Sequence, residues 1–380
     1  MTETAQSVDP GVTDSDLDPA LVALARGAGP VVSAVLDTHA GGEQAGEPRL
    51  RQRWDALRRR LADEGAADEV LDRVGRAIDD ARLDGPVVAA YCSPDLDEPV
   101  VITGPEEEGG DWAAWDRLPR LATVVRWHQA TPPALLVAID RTGAELISGG
   151  RASDPVLESV NDDDQYIRRI QPGGWSQRRY QQRAENSWRA IAGEVADRVT
   201  EHVKANGTRL VVVAGDVRAV QQLRDQLPER VARLVRLASG HPGAGSEGAM
   251  ADDARRWYRT AVAEDTVAVV DHWKQELGRN GLAVTGIGPT LAALEQAAVA
   301  TLLVHDDPAD SRRRPVTSAS ADASAVDEVD PLVFEGDSPP RLVDGAIVSA
   351  WDSGAGVRVV PTVPEMTDGL GALLRFPLAR

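Results

Sequence analysis

Apolar and polar residues alternate along this chain of 380 residues in segments typical of strands and helices. Short, mostly apolar runs bounded by turn residues predict buried strands over 31–36, 87–91, 99–102, 134–139 and 209–215. Apolar residues spaced three or four apart predict helices over 49–61 and 68–81. A second strand at 144–147 follows a polar turn and completes a hairpin. Because strands and helices alternate, the sequence predicts an α/β fold.

The longest helical pattern starts at Ser176 and continues to about residue 205. Its apolar positions recur every three or four residues, at Tyr180, Ala184, Trp188, Ile191, Val195, Val199 and Val203. At about 1.5 Å per residue, this helix would be about 45 Å long. Gly173 and Gly174 shortly precede it and predict an exposed turn, since glycine adopts backbone angles that other residues avoid.

Arginine residues flank this glycine pair on both sides. Arg168 and Arg169 precede it, and the predicted helix begins with further arginines, at positions 178, 179 and 183. An arginine-rich helix face is commonly just a solvated surface, so this face alone does not establish a binding site. We name residues 168–183 the tip segment.

Changes in composition divide the chain into three α/β domains. A Thr-, Ser- and Asp-rich tail at 1–18 is expected to be disordered, and an N-terminal α/β domain follows over 19–130. Two prolines mark the start of a middle domain at 131–248, which ends in a glycine-rich connector. The last domain, 249–380, contains an insertion at 306–340 whose Asp-, Ser-, Ala- and Pro-rich composition predicts flexibility.

Composition restricts the class of protein. The formal net charge is −19, which opposes wholesale nucleic-acid binding but leaves room for a local basic patch. A single cysteine, Cys92, excludes an internal disulfide and a multi-cysteine metal site. Without a secretory signal or an apolar run long enough to span a membrane, we expect a cytoplasmic protein without a membrane partner.

Conventional catalytic motifs are missing from the sequence. The six histidines are scattered without metal-ligand spacing, and there is no phosphate-binding loop, dinucleotide fingerprint or nucleophile elbow. Asp140 follows a strand, but without a second carboxylate at a recognisable spacing it is better explained as a turn residue. We therefore expect no metal and no cofactor, and only the tip segment is specialised enough to be a candidate site.

Three α/β domains with a glycine pair in the middle one resemble the class-one release factors of archaea and eukaryotes. The resemblance is closer to their bacterial relatives, the Rv-type mycobacterial release-factor-like proteins and the Balon-like hibernation factors. Residues 173–183 are similar to the Gly-Gly-Gln loop and basic helix of that family, and 211–216 to its next strand. Residues 286–299 and 369–376 are similar to the beginning and the final turn of its L7Ae-like domain. The resemblance thus implies a release-factor-like middle domain and an L7Ae-like α/β/α C-terminal domain.

This chain departs from the family at two places. The glutamine that follows the glycine pair directly in release factors is displaced here, since Trp175 and Ser176 precede Gln177. A spaced glutamine also occurs in the Vms-type peptidyl-tRNA hydrolases of this superfamily. The loop at 38–47 lacks the Asn-Ile-Lys-Ser motif of release factors, so stop-codon decoding is not expected.

Three hypotheses follow from the resemblance. In the first, the protein occupies the A site of idle or stalled ribosomes as a hibernation or stress factor, without catalysis. The rRNA contacts in the peptidyl-transferase centre would then come from Arg168, Arg169, Gly173, Gly174, Trp175, Ser176, Arg178, Arg179 and Arg183. In the second, Gln177 is a catalytic residue that positions water to hydrolyse peptidyl-tRNA. In the third, the protein binds partners other than RNA.

The resemblance also implies partners. The ribosome is the partner under the first two hypotheses, and peptidyl-tRNA is the substrate under the second. Elongation factor Tu is the partner of the Balon-like relatives, so the resemblance implies it as a delivery factor here. The first hypothesis, a ribosome-binding protein that is not an enzyme, is the one that the displaced Gln177 favours.

Overall fold

The computed structural model describes residues 11–27, 29–38, 46–82, 86–105, 110–140, 143–149, 157–161, 176–239, 247–307, 310–314 and 339–378. The chain forms two compact units. One, here called the outer unit, combines Met1–Gln129 with Thr266–Arg380, and the other, the middle unit, comprises Ala130–Asp265. Across the described residues no helix has the length and apolar content needed to cross a membrane.

The first part of the outer unit is a four-stranded antiparallel sheet with helices. Its elements are α1 (Pro19–Arg26), β1 (Val31–Asp37), α2 (Gly46–Asp63), α3 (Asp68–Ala81), β2 (Val87–Cys92), β3 (Val100–Gly104), β4 (Trp112–Asp116) and α4 (Ala122–Ala130). The strand order is β3-β2-β1-β4, and Ala34 of β1 lies opposite Ala90 and Ala113. One face of β1 packs against α2 and α3, and the other faces a second core. Burial of both faces explains why β1 is a continuous apolar run.

The middle unit is built on a five-stranded mixed sheet. Its elements are β5 (Ala134–Ile139), β6 (Gly143–Gly149), β7 (Leu157–Asn161), α5 (Ser176–Asn206), β8 (Leu210–Gly215), α6 (Val217–Gln226), α7 (Glu229–Ala232), β9 (Val235–Leu237) and the beginning of α8 (Glu247–Gly278). The strand order is β7-β6-β5-β8-β9, with β5, β8 and β9 parallel. Helices α5 and α6 cover one face of the sheet, whereas Ala254 and Trp257 of α8 cover the other.

A second four-stranded sheet completes the outer unit. Its strands are β10 (Ala283–Thr285), β11 (Val299–Val304), β12 (Gly356–Val359) and β13 (Leu370–Leu374). The same part of the unit contains the end of α8 and the helices α9 (Ile287–Glu295) and α10 (Leu342–Asp352). The strand order is β10-β13-β11-β12, with β11 and β12 parallel. Residues from Leu342 to Trp351 are all buried, so α10 is the central helix of this part.

The first and last segments of the chain share one hydrophobic core. Val31 and Val35 of β1 belong to the same buried cluster as Leu302 of β11 and Ile347 of α10. Gln129 adds polar contacts, since its side-chain amide donates to the Val359 carbonyl at 2.8 Å and accepts the Val359 N–H at 2.9 Å. The outer unit is thus one folded body made from two distant stretches of sequence.

The tail predicted over 1–18 is ordered from residue 11 onward, which corrects that prediction. Val12 pairs with Val357 through two backbone hydrogen bonds of 2.9 Å, and its carbonyl also accepts a bond from the Trp351 indole. Asp18 accepts the Ala20 N–H and caps α1. Because β12 is an edge strand, its free side can pair with Val12, and this pairing orders the start of the described chain.

The flexible insertion predicted over 306–340 includes residues at both ends that are ordered in the structure. Asp306 accepts a 2.7 Å bond from Arg341, and Arg313 forms an isolated β-bridge with Arg341 and an ion pair of 2.7 Å with Asp116. These contacts order residues on both sides of the segment, because buried charges require partners. Residues 315–338 lie outside the described part of the chain.

The α/β class, with three sheets following one another along the sequence, is confirmed. The division into three domains at 130 and 248 stays a prediction, and the structure adds that the outer segments share a core.

Candidate functional site

The tip segment overlaps the start of helix α5, as the sequence predicts. The helix spans Ser176–Asn206, 31 residues, which corresponds to about 45 Å at 1.5 Å per residue. Ser176, Gln177, Arg178, Arg179 and Arg183 all lie in its first turns. Gln177 is therefore the second residue of a helix, two residues further along than the glutamine of the family's loop.

The rest of the predicted site falls outside the described residues. These positions are Arg168, Arg169, Gly173, Gly174 and Trp175. For the residues of α5 up to Trp188 the structure describes the backbone alone. The rRNA-binding and catalytic roles assigned to the tip segment therefore stay predictions.

The C-terminal half of α5 is anchored on the sheet of the middle unit. Ile191, Val195 and Val199 are buried among apolar residues of β5, β6 and α6, which confirms this part of the predicted apolar face. The Gln226 side chain donates a 3.0 Å bond to the Arg189 carbonyl and so ties α6 to α5. This half of the helix is a fixed base for the turns that precede it.

Ionic and polar contacts support the same anchor. Arg198 lies 3.3 Å from Glu158 of β7, and the His202 imidazole lies 3.1 Å from the Thr208 hydroxyl. Burial lowers the pKa of His202, with an opposing contribution from Glu158. Because its lowered pKa favours the neutral form and its ring is hydrogen-bonded, His202 supports the anchor of α5.

Two aspartates lie at the carboxyl ends of the parallel strands β5 and β8, beside a shallow cleft. The Asp140 carboxylate accepts the Gly143 N–H at 3.1 Å, which confirms its predicted role in a turn. Asp216 accepts the N–H groups of Arg218 and Ala219 and caps α6. Since both carboxylates are used by backbone amides, this edge of the sheet shows no arrangement for acid–base catalysis.

Metal ligation finds no support in the part of the chain that the structure describes. None of its groups of His, Cys, Asp and Glu side chains could hold a metal ion. Cys92 is buried, and burial raises the pKa of its thiol. A raised thiol pKa opposes thiolate chemistry.

One charged cluster was not predicted from the sequence. Arg341, 2 % exposed, binds Asp306 at 2.7 Å and Asp344 at 3.3 Å in the outer unit. Burial raises the pKa of Asp344 to about 6, although Arg341 opposes this. Burial disfavours charge on Arg341 as well, but attraction to the two carboxylates outweighs it and raises its pKa. The sequence offered one sign of this cluster, since Asp344 lies within the mostly apolar segment that forms α10.

Residues 133–279 match the model of bacterial archaeo-eukaryotic release factor family 2. The resemblance to bacterial relatives of class-one release factors is thereby confirmed, and the match contains the tip segment and α5. The uncharacterized protein Rv2629 of Mycobacterium tuberculosis (strain H37Rv) is 26% identical over 379 residues, covering 93% of this chain and 95% of that protein.

Solved structures of translation factors are also similar. The archaeal translation termination factor aRF1 matches with 17% identity and a TM-score of 0.27, over 96% of this chain and 99% of that one. Dom34 of S. cerevisiae, described as a termination-like factor that interacts with Hbs1, matches with 9% identity and a TM-score of 0.40, over 77% and 80%. Ribosome-bound archaeal Pelota matches with 17% identity and a TM-score of 0.40, over 77% and 78%.

Proposed function

We propose that this chain, a release-factor-like protein whose residues 133–279 match bacterial archaeo-eukaryotic release factor family 2, binds the ribosome. The tip segment enters the peptidyl-transferase centre and occupies the A site of idle or stalled ribosomes. The observation that carries the proposal is that this family match includes a 31-residue helix that starts two residues after the glycine pair.

The geometry of α5 supports the proposal, because a narrow RNA cavity has to be reached from a folded body. Ile191 is buried in the core of the middle unit, whereas Ser176 is the first residue of the helix. At 1.5 Å per residue, these two positions are about 22 Å apart along the helix axis. A regular helix holds its first residue, Ser176, at this distance without the entropy cost of ordering a long loop.

Charge distribution supports RNA as the partner of the tip. Five arginines fall within residues 168–183, although the whole chain carries a net charge of −19. Arginine binds phosphate through a planar fork of donors, and Trp175 offers an aromatic surface on which a base can stack. The acidic remainder repels other RNA, which limits non-specific binding.

Occupation without catalysis agrees best with the position of Gln177. In the second position of α5 its backbone is helical, whereas the family's glutamine follows the glycine pair directly. An amide cannot act as a base, so hydrolysis would depend on accurate placement of water. Peptidyl-tRNA hydrolysis by Gln177 is the second candidate function, and delivery by elongation factor Tu stays a prediction.

Co-sedimentation with ribosomes from stationary-phase cells tests the proposal. We expect the wild-type protein in the ribosomal fraction at low salt and a loss of binding as the salt concentration rises. Changing Arg178 and Arg179 together to glutamine should weaken binding and reduce the salt slope by about one to two. The matched control changes two exposed arginines of the same unit, Arg224 and Arg230, to glutamine.

Two outcomes would contradict the proposal. Absence of the wild-type protein from ribosomes at low salt would favour the third hypothesis, a protein that binds partners other than RNA. Equal weakening by the Arg224/Arg230 control would mean that the tip is not the binding site.

Peptidyl-tRNA release from stalled complexes separates occupation from hydrolysis. We expect no release by the wild-type protein. Release that disappears in Gln177→Ala, with ribosome binding unchanged, would instead establish the hydrolase.

A further inference from the structure

Strand β3 is the last strand on one side of the first sheet of the outer unit. In an antiparallel ladder each residue points its N–H and C=O to the same side, and the side alternates along the strand. The Thr38 N–H bonds the Pro86 carbonyl at 2.9 Å, which turns the odd-numbered residues of β2 toward β3. The register then makes Ile102 bond to β2, so Val101 and Thr103 point their backbone groups away from the sheet. We call these two outward residues the free edge.

Three other sheet edges are capped by side chains or backbone of the same chain. Arg60 donates to the outward carbonyl of Ala113 on β4. On β9 the Trp257 indole donates to the Leu237 carbonyl at 2.8 Å, and β12 pairs with Val12. By contrast, none of the described residues bonds to the outward N–H and C=O groups of the free edge. Backbone groups exposed in this way can pair with an added strand.

Two prolines delimit the free edge. Pro99 and Pro105 occupy the next outward positions on either side, and proline has no N–H to donate. Prolines at such positions prevent pairing from extending along an edge. The Val101 side chain packs against the core beneath α2 and α3, whereas Thr103 is exposed. The free edge can therefore take a short strand that pairs with two residues, but not a long ladder.

The surroundings of the free edge are acidic. Asp95, Asp97 and Glu98 precede β3 and are exposed, and none of them pairs with a residue that the structure describes. Three glutamates follow the strand in the sequence, at 106–108. Helix α3, which packs beside β3, does not offset this charge, since it carries five acidic residues and two arginines. An extended segment rich in lysine or arginine is thus electrostatically complementary to the free edge.

The same charges disfavour two other occupants. A second copy pairing antiparallel through β3 would bring the acidic residues before one strand toward those after the other, and like charges destabilise cross-strand pairing. RNA would bring its phosphates against the same carboxylates. Of these three occupants, only a basic peptide segment is attracted.

We propose that the free edge of β3 binds an extended basic segment of a partner protein as an added strand. Val101 and Thr103 each exchange backbone N–H and C=O bonds with this segment, and its lysine or arginine side chains face the carboxylates that precede β3. The backbone bonds supply affinity, and the carboxylates select a positively charged partner. The site lies in the outer unit and depends neither on the tip segment nor on ribosome binding.

Fluorescence anisotropy of a labelled peptide with alternating lysine and valine, titrated with the full chain, tests the proposal. We expect saturable binding that weakens as salt is added. The same peptide methylated on every backbone nitrogen keeps the charge but has no donors, and it should not bind. A peptide of alternating glutamate and valine should not bind either. In hydrogen exchange, the bound lysine–valine peptide should protect the Val101 and Thr103 amides, whereas the Ile102 amide, which already bonds to β2, should not change.

Matched variants locate the site. Thr103→Pro removes an outward N–H and no bond to β2, so affinity for the lysine–valine peptide should fall about tenfold. Thr103→Val keeps the N–H and should bind as the wild type does, and equal thermal unfolding of the two variants shows that both are folded. A second variant leaves the strand intact and combines Asp95→Asn, Asp97→Asn and Glu98→Gln. It should lose both affinity and most of the salt dependence.

The proposal fails if the wild type shows no saturable binding of the lysine–valine peptide. It also fails if the methylated peptide binds equally well, because attraction between charges would then suffice. Wild-type affinity in the folded Thr103→Pro variant, or in the triple variant, would place the binding elsewhere. A wild-type dimer in sedimentation that Thr103→Pro dissociates would make a second copy the occupant and overturn the proposal as well.

Discussion

Replacing Asp344 by asparagine should remove a pH dependence that its buried carboxylate introduces into the stability of the outer unit. Asp344 is 1 % exposed and accepts a 3.0 Å bond from the Leu121 N–H and a 3.3 Å bond from Arg341. Burial raises its pKa to about 6, with Arg341 acting in the opposite direction. Asparagine retains the shape and an acceptor for Leu121 but also removes the ion pair with Arg341. That loss is a pH-independent cost, so the titration is measured by how the difference between the two proteins changes with pH.

The sign of the effect follows from the raised pKa. In the unfolded chain the pKa of an aspartate is about 3.9. Between about pH 4 and 6, Asp344 therefore binds a proton in the folded chain but not in the unfolded chain. This contribution to stability is therefore complete below about pH 4 and is lost as the pH rises through 6. A shift of about two pKa units corresponds to about 3 kcal/mol, an upper value for a carboxyl group beside a cationic partner.

Urea unfolding at pH 4.5, 5.5 and 7 measures this contribution. Hydrogen exchange of the β1 and β11 amides assigns the transition to the outer unit, because the middle unit has its own core. The difference in free energy of unfolding between wild type and Asp344→Asn should change by about 2 kcal/mol over this range. Asp68→Asn, in the same unit and with a side chain that is 75 % exposed, controls for the loss of one surface carboxylate. A difference that stays constant with pH would refute the reasoning.

Two further substitutions test the packing of the units. Gly215→Ala should destabilise the middle unit by several kcal/mol in urea unfolding, because its Cβ would lie 1.7 Å from the Ile139 carbonyl oxygen at a φ of +141°. Gly207→Ala, also at positive φ (+59°) but with no atom within 4 Å, should cost only about 1–2 kcal/mol, and an equal loss would contradict the steric cause. Gln129→Ala removes both bonds to Val359 and should destabilise the outer unit by about 1–3 kcal/mol, whereas no change in its hydrogen exchange would mean that the contact does not hold the unit together.

The middle unit was the part best predicted from sequence, because its signals are local. The strand prediction at 134–139 agrees with β5, and the long apolar helix pattern agrees with α5 from its first residue. A buried strand in a parallel pair is apolar throughout, and a helix on one face of a sheet shows the period of 3.6 residues. The tip segment itself was singled out by its glycines and arginines, which are visible without a structure.

The outer unit was predicted less completely, since its order depends on distant partners. Val12 pairs with Val357, more than 300 residues further along the chain, and the composition of residues 11–18 does not predict this pairing. Strand β4 has only five residues, and the two alanines at its centre give a weak strand signal. The charged cluster of Asp306, Arg341 and Asp344 joins residues from two separate stretches of sequence, so no spacing rule could have found it.

Chain connectivity makes the proposed ribosome-binding test specific. The middle unit is one continuous stretch, whereas the outer unit is assembled from the two stretches on either side of it. The contacts that hold the outer unit together, including the Gln129–Val359 bonds and the Asp116–Arg313 ion pair, lie outside residues 130–265. Changes at Arg178 and Arg179 remove none of these contacts. If such a variant leaves the ribosome while its outer unit keeps the wild-type hydrogen exchange, the loss of binding is due to the tip segment and not to unfolding of the chain.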